Sequence, residues 1–191
     1  MHYIIFAWFL ASLPPEGDAA LQRLLMRFSE QTHFQAQFTE TKKISFLSTP
    51  LISHGTMEFQ APDRLVKTIE TPDPSTMRVQ GSQITIINNQ ETQHVDLKQY
   101  PHMLQFVSGM LALLRGDASL LLADYDAKST FKKSQWHIIL TPKPSSSSTV
   151  VKKLAFEGIE TKPKRMTLTE KNGDVTVTQF IYPKKLEQIK K

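Results

Sequence analysis

The sequence predicts a mainly β domain with helices, in which a curled antiparallel sheet of about ten or eleven strands follows one helix and is interrupted by others. Three observations predict it. Apolar and polar residues alternate along many short segments, Pro, Gly, Asn and Asp separate those segments at close intervals, and two stretches carry helical spacing instead. The connections between the alternating segments are too short for the crossovers of a parallel sheet.

The first segment is expected to lie outside the domain rather than to form a buried strand of it or an uncleaved anchor. Tyr3 to Leu13 is an uninterrupted apolar run, followed by Pro14-Pro15 and small residues. A bilayer span needs about 20 apolar residues, so this run reads as a secretory signal, with cleavage after Ala19. Its n-region holds only His2 and the terminal amine. Residues 1–19 are thus expected to be removed and 20–191 to form a single domain, exported to the periplasm of a Gram-negative-type envelope.

Leu21, Leu24, Leu25 and Phe28 then fall at helical spacing among Gln22, Arg23, Arg27, Ser29 and Glu30, which predicts one amphipathic helix. At about His33 the period changes to two: Phe34, Ala36 and Phe38 alternate with Gln35, Gln37 and Thr39. Gly55, Met57, Phe59 and Ala61 share a face, Leu65 to Glu70 follows Pro62-Asp63, and Met77 and Val79 follow Pro72-Asp73-Pro74. Gly81-Ser82 turns into Ile84 to Ile87, and Asn88-Asn89-Gln90 into a strand ending at Leu97. Alternation therefore assigns Phe34, Phe38, Met57, Phe59, Met77, Val79, Ile84 and Ile86 to the inner wall of the curled sheet.

Pro101 to Asp124 interrupts this meander. Leu104, Val107, Met110, Leu111 and Leu114 recur at helical spacing, Gly116 closes the helix, and Asp117 caps a second one through Ala123. Strands resume at Trp136 to Leu140, stop at Pro142-Lys143-Pro144 and the run Ser145 to Ser148, and resume near Val150. Met166 to Lys171 and Asp174 to Phe180 form a hairpin through Asn172-Gly173, predicted as a two-residue turn with both residues at positive φ. Glu157 and Glu160 read as two carboxylates on a polar turn around Gly158.

Composition excludes several functions. The chain has 191 residues, 40% of them hydrophobic and 21% charged, as in an ordinary globular domain. With no cysteine it has no disulfide, no thiolate metal site and no lipid-modified N-terminal cysteine. His2, His33, His54, His94, His102 and His137 lack metal-ligand spacing, and the sequence contains no phosphate loop and no nucleophile elbow. No catalytic residue, metal or cofactor is assigned. The net charge of +5 comes largely from lysines of the last third and the C-terminus, which read as solvated faces. Aromatics fall into the alternating pattern rather than among basic residues, so nucleic acid is not a predicted partner. A curled sheet with so large an apolar inner face, and few helices to cover it, reads as a container.

The order of elements resembles a known family. Phe34 to Thr41, Pro50-Leu51, Gly55 to Pro62, then Pro72 and Gly81, are similar to the N-terminal half of LolA-type periplasmic lipoprotein carriers. Trp136 to Lys143 and the Asn172-Gly173 hairpin are similar to the C-terminal half. The resemblance implies an incomplete antiparallel barrel whose inserted helices act as a lid over acyl chains. It implies a monomer that takes an acylated lipoprotein, or a related lipid-linked molecule, from an inner-membrane donor transporter to an outer-membrane acceptor. In the family an arginine after the corner proline latches the lid; here Val66 stands in that register. Arg64, two positions earlier, is the candidate substitute latch. Two other functions remain open on sequence: a lipid-sensing or scaffold half-barrel that binds a protein partner, and a hydrolase or isomerase of an apolar substrate.

Overall fold

The computed structural model describes residues 16–89, 91–144 and 150–182. Helix α1 (Glu16–Ser29) leads into six strands: β1 (His33–Lys43), β2 (Leu51–Gln60), β3 (Arg64–Thr71), β4 (Ser75–Gln80), β5 (Gln83–Asn88) and β6 (Thr92–Asp96). A short 3-10 turn (Leu97–Gln99) opens the insert, which continues as α2 (Pro101–Leu114) and α3 (Ala118–Asp124). Five strands complete the chain: β7 (Tyr125–Lys132), β8 (Gln135–Pro142), β9 (Val151–Ile159), β10 (Lys162–Glu170) and β11 (Val175–Ile181). The expected apolar signal lies outside the described residues up to position 15, and the expected mature start at Ala20 falls inside α1.

All eleven strands form one antiparallel sheet in the order β6-β5-β4-β3-β2-β1-β11-β10-β9-β8-β7. Its two edges, β6 and β7, are consecutive in the chain and do not pair with each other. The barrel is therefore incomplete, and the insert between those strands must run from one edge of the sheet to the other. Connectivity alone thus places α2 and α3 across the opening.

Strand register puts the apolar alternation into rows. Phe34, Phe59, Leu65, Val79, Ile84 and Val95 are successive partners across β1 to β6. The next row runs Ala36, Met57, Lys67, Met77, Ile86 and Gln93. On the other side of β1, Phe38 faces Phe180, and the next row runs from Thr178 of β11 through Met166, Phe156 and Ile138 across β10, β9 and β8. A one-residue slip would turn any of these rows to the solvent, so burial of one face holds the register.

The helices close on this face. Leu21, Leu24, Leu25 and Phe28 of α1 are buried, and Phe28 meets Trp136 edge to face at 5.8 Å. The carboxylate of Asp117 accepts the Leu120 amide at 2.9 Å and caps α3, as the sequence indicates. Gly116 ends α2 at φ +71, and a β-carbon there would sit 2.0 Å from the Leu25 carbonyl oxygen. Only glycine lets α2 approach α1 so closely.

Three local expectations are corrected. Strand β7 escapes detection because Tyr125, Ala127, Ser129 and Phe131 alternate with too little apolar contrast. The Asn172-Gly173 hairpin has a longer turn: the Glu170 amide bonds Asp174 O at 2.9 Å, and Gly173, at φ +95, is the residue there with positive φ. Lys171, Asn172 and Gly173 thus make the three-residue loop with a final left-handed glycine. Glu157 and Gly158 lie within β9 rather than on a turn, with Glu157 opposite Arg165 and His137.

Candidate functional site

The residues assigned to the inner wall share the concave face. Phe38, Met57, Phe59, Val79 and Ile84 are buried, while Phe34, Met77 and Ile86 are partly buried and pack against the core. Of the stripe on the insert, Val107, Met110, Leu111 and Leu114 are buried in α2, and Leu104 packs beside them partly exposed. Burying such a side chain contributes about 1.5–3 kcal/mol, so four of them hold α2 on the sheet strongly.

The two layers meet closely where Met110 and Leu114 of α2 face the sheet. Met110 and Leu114 of α2 share a void with Phe34, Met57, Phe156, Met166 and Phe180, and that void measures about 10 Å³. It has no polar lining. Ligand pockets measure about 300–1,000 Å³, so no acyl chain fits in this void while α2 lies in this position. Access requires α2 to move.

Two features of α2 bear on such movement. The buried Tyr125 hydroxyl donates to the Gln105 carbonyl oxygen at 3.0 Å, and burial, followed by the Asp124 carboxylate, pushes the phenol's pKa up, so it remains a donor. Its ring lies on Gly109, where a β-carbon would come within 2.7 Å. This fastens the middle of α2 to the first residue of β7. The Gln105 side chain, by contrast, is only 6% exposed, and neither its amide nitrogen nor its amide oxygen has a hydrogen-bond partner. A buried unsatisfied polar group costs about 1–3 kcal/mol, so the closed position carries a built-in penalty.

The inner face is not wholly apolar. Lys67 stands between Met57 and Met77 in the second row, and its ammonium donates to both oxygens of Glu40 at 2.7 Å. Thr178 donates to the same carboxylate at 2.9 Å, and the Lys67 nitrogen lies 5.0 Å from the centre of the Phe38 ring. The pair reaches from β3 to β1 over β2, where Gly55, opposite both Phe38 and Ile69, has no side chain to block it. Sequence reasoning missed it because the partners are 27 positions apart and neither belongs to a motif.

Arg64 is exposed and donates to Gln60 Oε1 at 2.9 Å, across the turn between β2 and β3. Val66 is half-buried, paired with Glu58 and Arg78. A larger depression of about 670 Å³ lies by the β7–β8 turn, with Lys132, His137, Glu157 and Lys164 among its walls. Phe131, Trp136 and Ile159 line it as well, but it opens widely to solvent, so an acyl chain there would stay partly wet. Among the described residues no three His, Asp or Glu side chains group to hold a metal ion. No described helix is long and apolar enough to cross a membrane.

An apolar curved antiparallel sheet, open at one side and covered by an inserted helix, is the LolA-like open-barrel fold. The pattern of the family described as outer membrane lipoprotein carrier protein LolA-like matches residues 14–181, and the chain belongs to that family. No curated protein matches it. Among solved structures it is similar to the LolA superfamily protein NE2245 from Nitrosomonas europaea, with 13% identity and TM-score 0.48 over 85% of this chain and 91% of that one. It is also similar to a chain of the Pseudomonas aeruginosa MucA/MucB complex, with 13% identity and TM-score 0.45 over 87% of this chain and 59% of that one. A third is the Mycobacterium tuberculosis lipoprotein LppX, with 13% identity and TM-score 0.40 over 87% and 98% of the two chains.

Proposed function

We propose that this protein is a periplasmic carrier that shields acyl chains of lipoproteins, or of a related lipid-linked molecule, between α2 and the inner face of the sheet. It takes that cargo from a donor in the inner membrane to an acceptor in the outer membrane, as a monomer and without covalent chemistry. The observation that carries the reading is the apolar void where Met110 and Leu114 of α2 meet the sheet, closed to about 10 Å³. Side chains that pack without directional bonds are replaced by methylene groups without orphaning a donor or acceptor. Each buried CH₂ contributes about 0.8 kcal/mol, so an acyl chain of a dozen carbons offers roughly 10 kcal/mol before entropy and reorganisation. That suffices to displace α2 with no cofactor and no catalytic group.

On this reading the wall is formed by Phe34, Phe38, Met57, Phe59, Met77, Val79, Ile84 and Ile86, and the lid by the stripe from Leu104 to Leu114. Closure rests on that stripe rather than on an arginine, since the Arg64 guanidinium is engaged by Gln60. Native mass spectrometry and lipid extraction of the protein recovered from its own cell envelope test the function. A stoichiometric acylated species is the expected result. Recovery of a bound polypeptide and no lipid would favour a partner-binding half-barrel instead.

A further inference from the structure

The turn between β1 and β2 displays apolar side chains that the core does not use. Phe46 is 83% exposed, Leu47 43%, Leu51 53% and Ile52 50%. Soluble surfaces scatter such residues singly, whereas here four come from one hairpin tip. The tip is an ordered platform. The Ser45 amide donates to Asp174 Oδ1 at 2.8 Å, the Leu47 amide donates to the Ile44 carbonyl at 3.0 Å, and Asp174 is buried in the neighbouring β10–β11 hairpin. Phe46 and Leu47 are thus presented outward from a turn tied down at its base.

The tip has a charged flank. Lys42 and Lys43 end β1, Lys171 lies in the β10–β11 turn, and Lys152 and Lys153 begin β9, all at the same end of adjacent strands. The acidic residues on that flank are Glu170 and Asp174, the latter beside Lys42, so five lysines stand against two carboxylates and the flank keeps a basic excess. Glu70 and Asp73 lie on the far side, across β2. An aromatic and aliphatic wedge beside a basic flank matches a bilayer interface that carries anionic headgroups. It matches a folded partner poorly, because a stable protein interface covers about 800 Å² per side and this tip is a single turn.

We infer that the β1–β2 tip docks this protein on anionic lipid bilayers, with Phe46 and Leu47 entering the interfacial layer and the lysines of the flank facing the headgroups. The inference is independent of the acyl-carrier reading, since a partner-binding protein of the same shape would dock in the same way.

The test places a reporter in the full chain by Phe46→Trp and mixes it with two vesicle types, phosphatidylcholine alone and phosphatidylcholine with phosphatidylglycerol. Relative to the unaltered chain, the introduced indole should shift to the blue and be quenched by brominated lipid with the anionic vesicles only. Added salt should reverse the effect. The pair Phe46→Ser and Leu47→Ser should lower partition to anionic vesicles about tenfold or more while leaving thermal unfolding unchanged, because both side chains lie outside the core. Lys152→Gln with Lys153→Gln should reduce the preference for anionic over neutral vesicles. An indole that stays in water with both vesicle types overturns the inference. So does undiminished partition of the double serine variant, which would put any membrane contact elsewhere on the chain.

Discussion

Replacing Gln105 by Leu should make the protein more stable and a poorer acyl binder at once. Both amide atoms of Gln105 are buried without a partner, and the backbone carbonyl that accepts the Tyr125 hydroxyl is unaffected by the change. Leu and Gln have similar helix propensity, so α2 itself neither gains nor loses. Removing an unsatisfied buried amide should stabilise the closed form by about 1–3 kcal/mol. For a chain of this size each kcal/mol raises Tm by about 2–4 °C, so the rise should lie between about 2 and 12 °C. If the amide is released to water or to cargo when α2 moves, the same free energy is withdrawn from opening. Acyl affinity should then fall by roughly 5- to 150-fold. Calorimetric unfolding and titration with a fluorescent fatty acid read the two effects separately. A lower Tm would refute the reasoning by showing that the amide is satisfied in the closed form. A higher Tm with unchanged affinity would show that α2 keeps Gln105 buried when loaded, and that the penalty does not assist opening.

Ile86 is half-buried on the second inner row, so Ile86→Asp should leave the fold intact but put a charge where cargo lies; acyl-probe affinity should drop by about tenfold or more, and an unchanged affinity in a folded variant would remove that face from the wall. Arg64→Leu should change acyl affinity and transfer to acceptor membranes by less than about fivefold, because an exposed contact with Gln60 is worth less than about 1 kcal/mol; loss of transfer with the fold intact would identify Arg64 as the latch. The Ser45 amide, then the other hydrogen bonds around it, hold the Asp174 carboxyl below the usual aspartate range. Its contribution to stability is therefore complete above the ordinary aspartate value and lost only as pH falls through the depressed one. The amide proton shift of Ser45, followed by NMR, should titrate below that ordinary value, and a midpoint at or above it would show that the tether is weak.

The architecture was legible because one physical rule wrote it many times over. Each strand from β1 to β6 must bury one face, so alternation marks Phe34, Phe38, Met57, Phe59, Val79 and Ile84, and strand register then sets most of them opposite one another. The helical stripe from Val107 to Leu114 is as plain, since it too is a burial pattern. What the sequence hid depends on contacts between distant positions. Lys67 occupies an inward position between Leu65 and Ile69, yet its charge is tolerable only because Glu40 and Thr178 come to it from other strands. Gln105 looks like an ordinary polar residue on an amphipathic helix until packing buries it. Phe46 and Leu47 belong to none of the alternating segments, and only the fold shows them exposed. Strand β7 is hidden for the converse reason: as an edge strand it buries only Tyr125 fully, and so needs little apolar contrast.

The central claim is that cargo enters by displacing α2 from the inner face, and a distance measured across that seam tests it most directly. The chain contains no cysteine, so Met103→Cys on α2 and Lys153→Cys on β9 give a unique pair of spin-label sites at exposed positions. Pulsed electron resonance of the empty protein should give one narrow distance distribution, matching the closed seam of about 10 Å³. Addition of an acylated ligand that binds should move the distribution to a longer or broader one, in proportion to the fraction loaded. Saturating acyl ligand with the distribution unmoved would mean that cargo binds elsewhere, and would contradict the account.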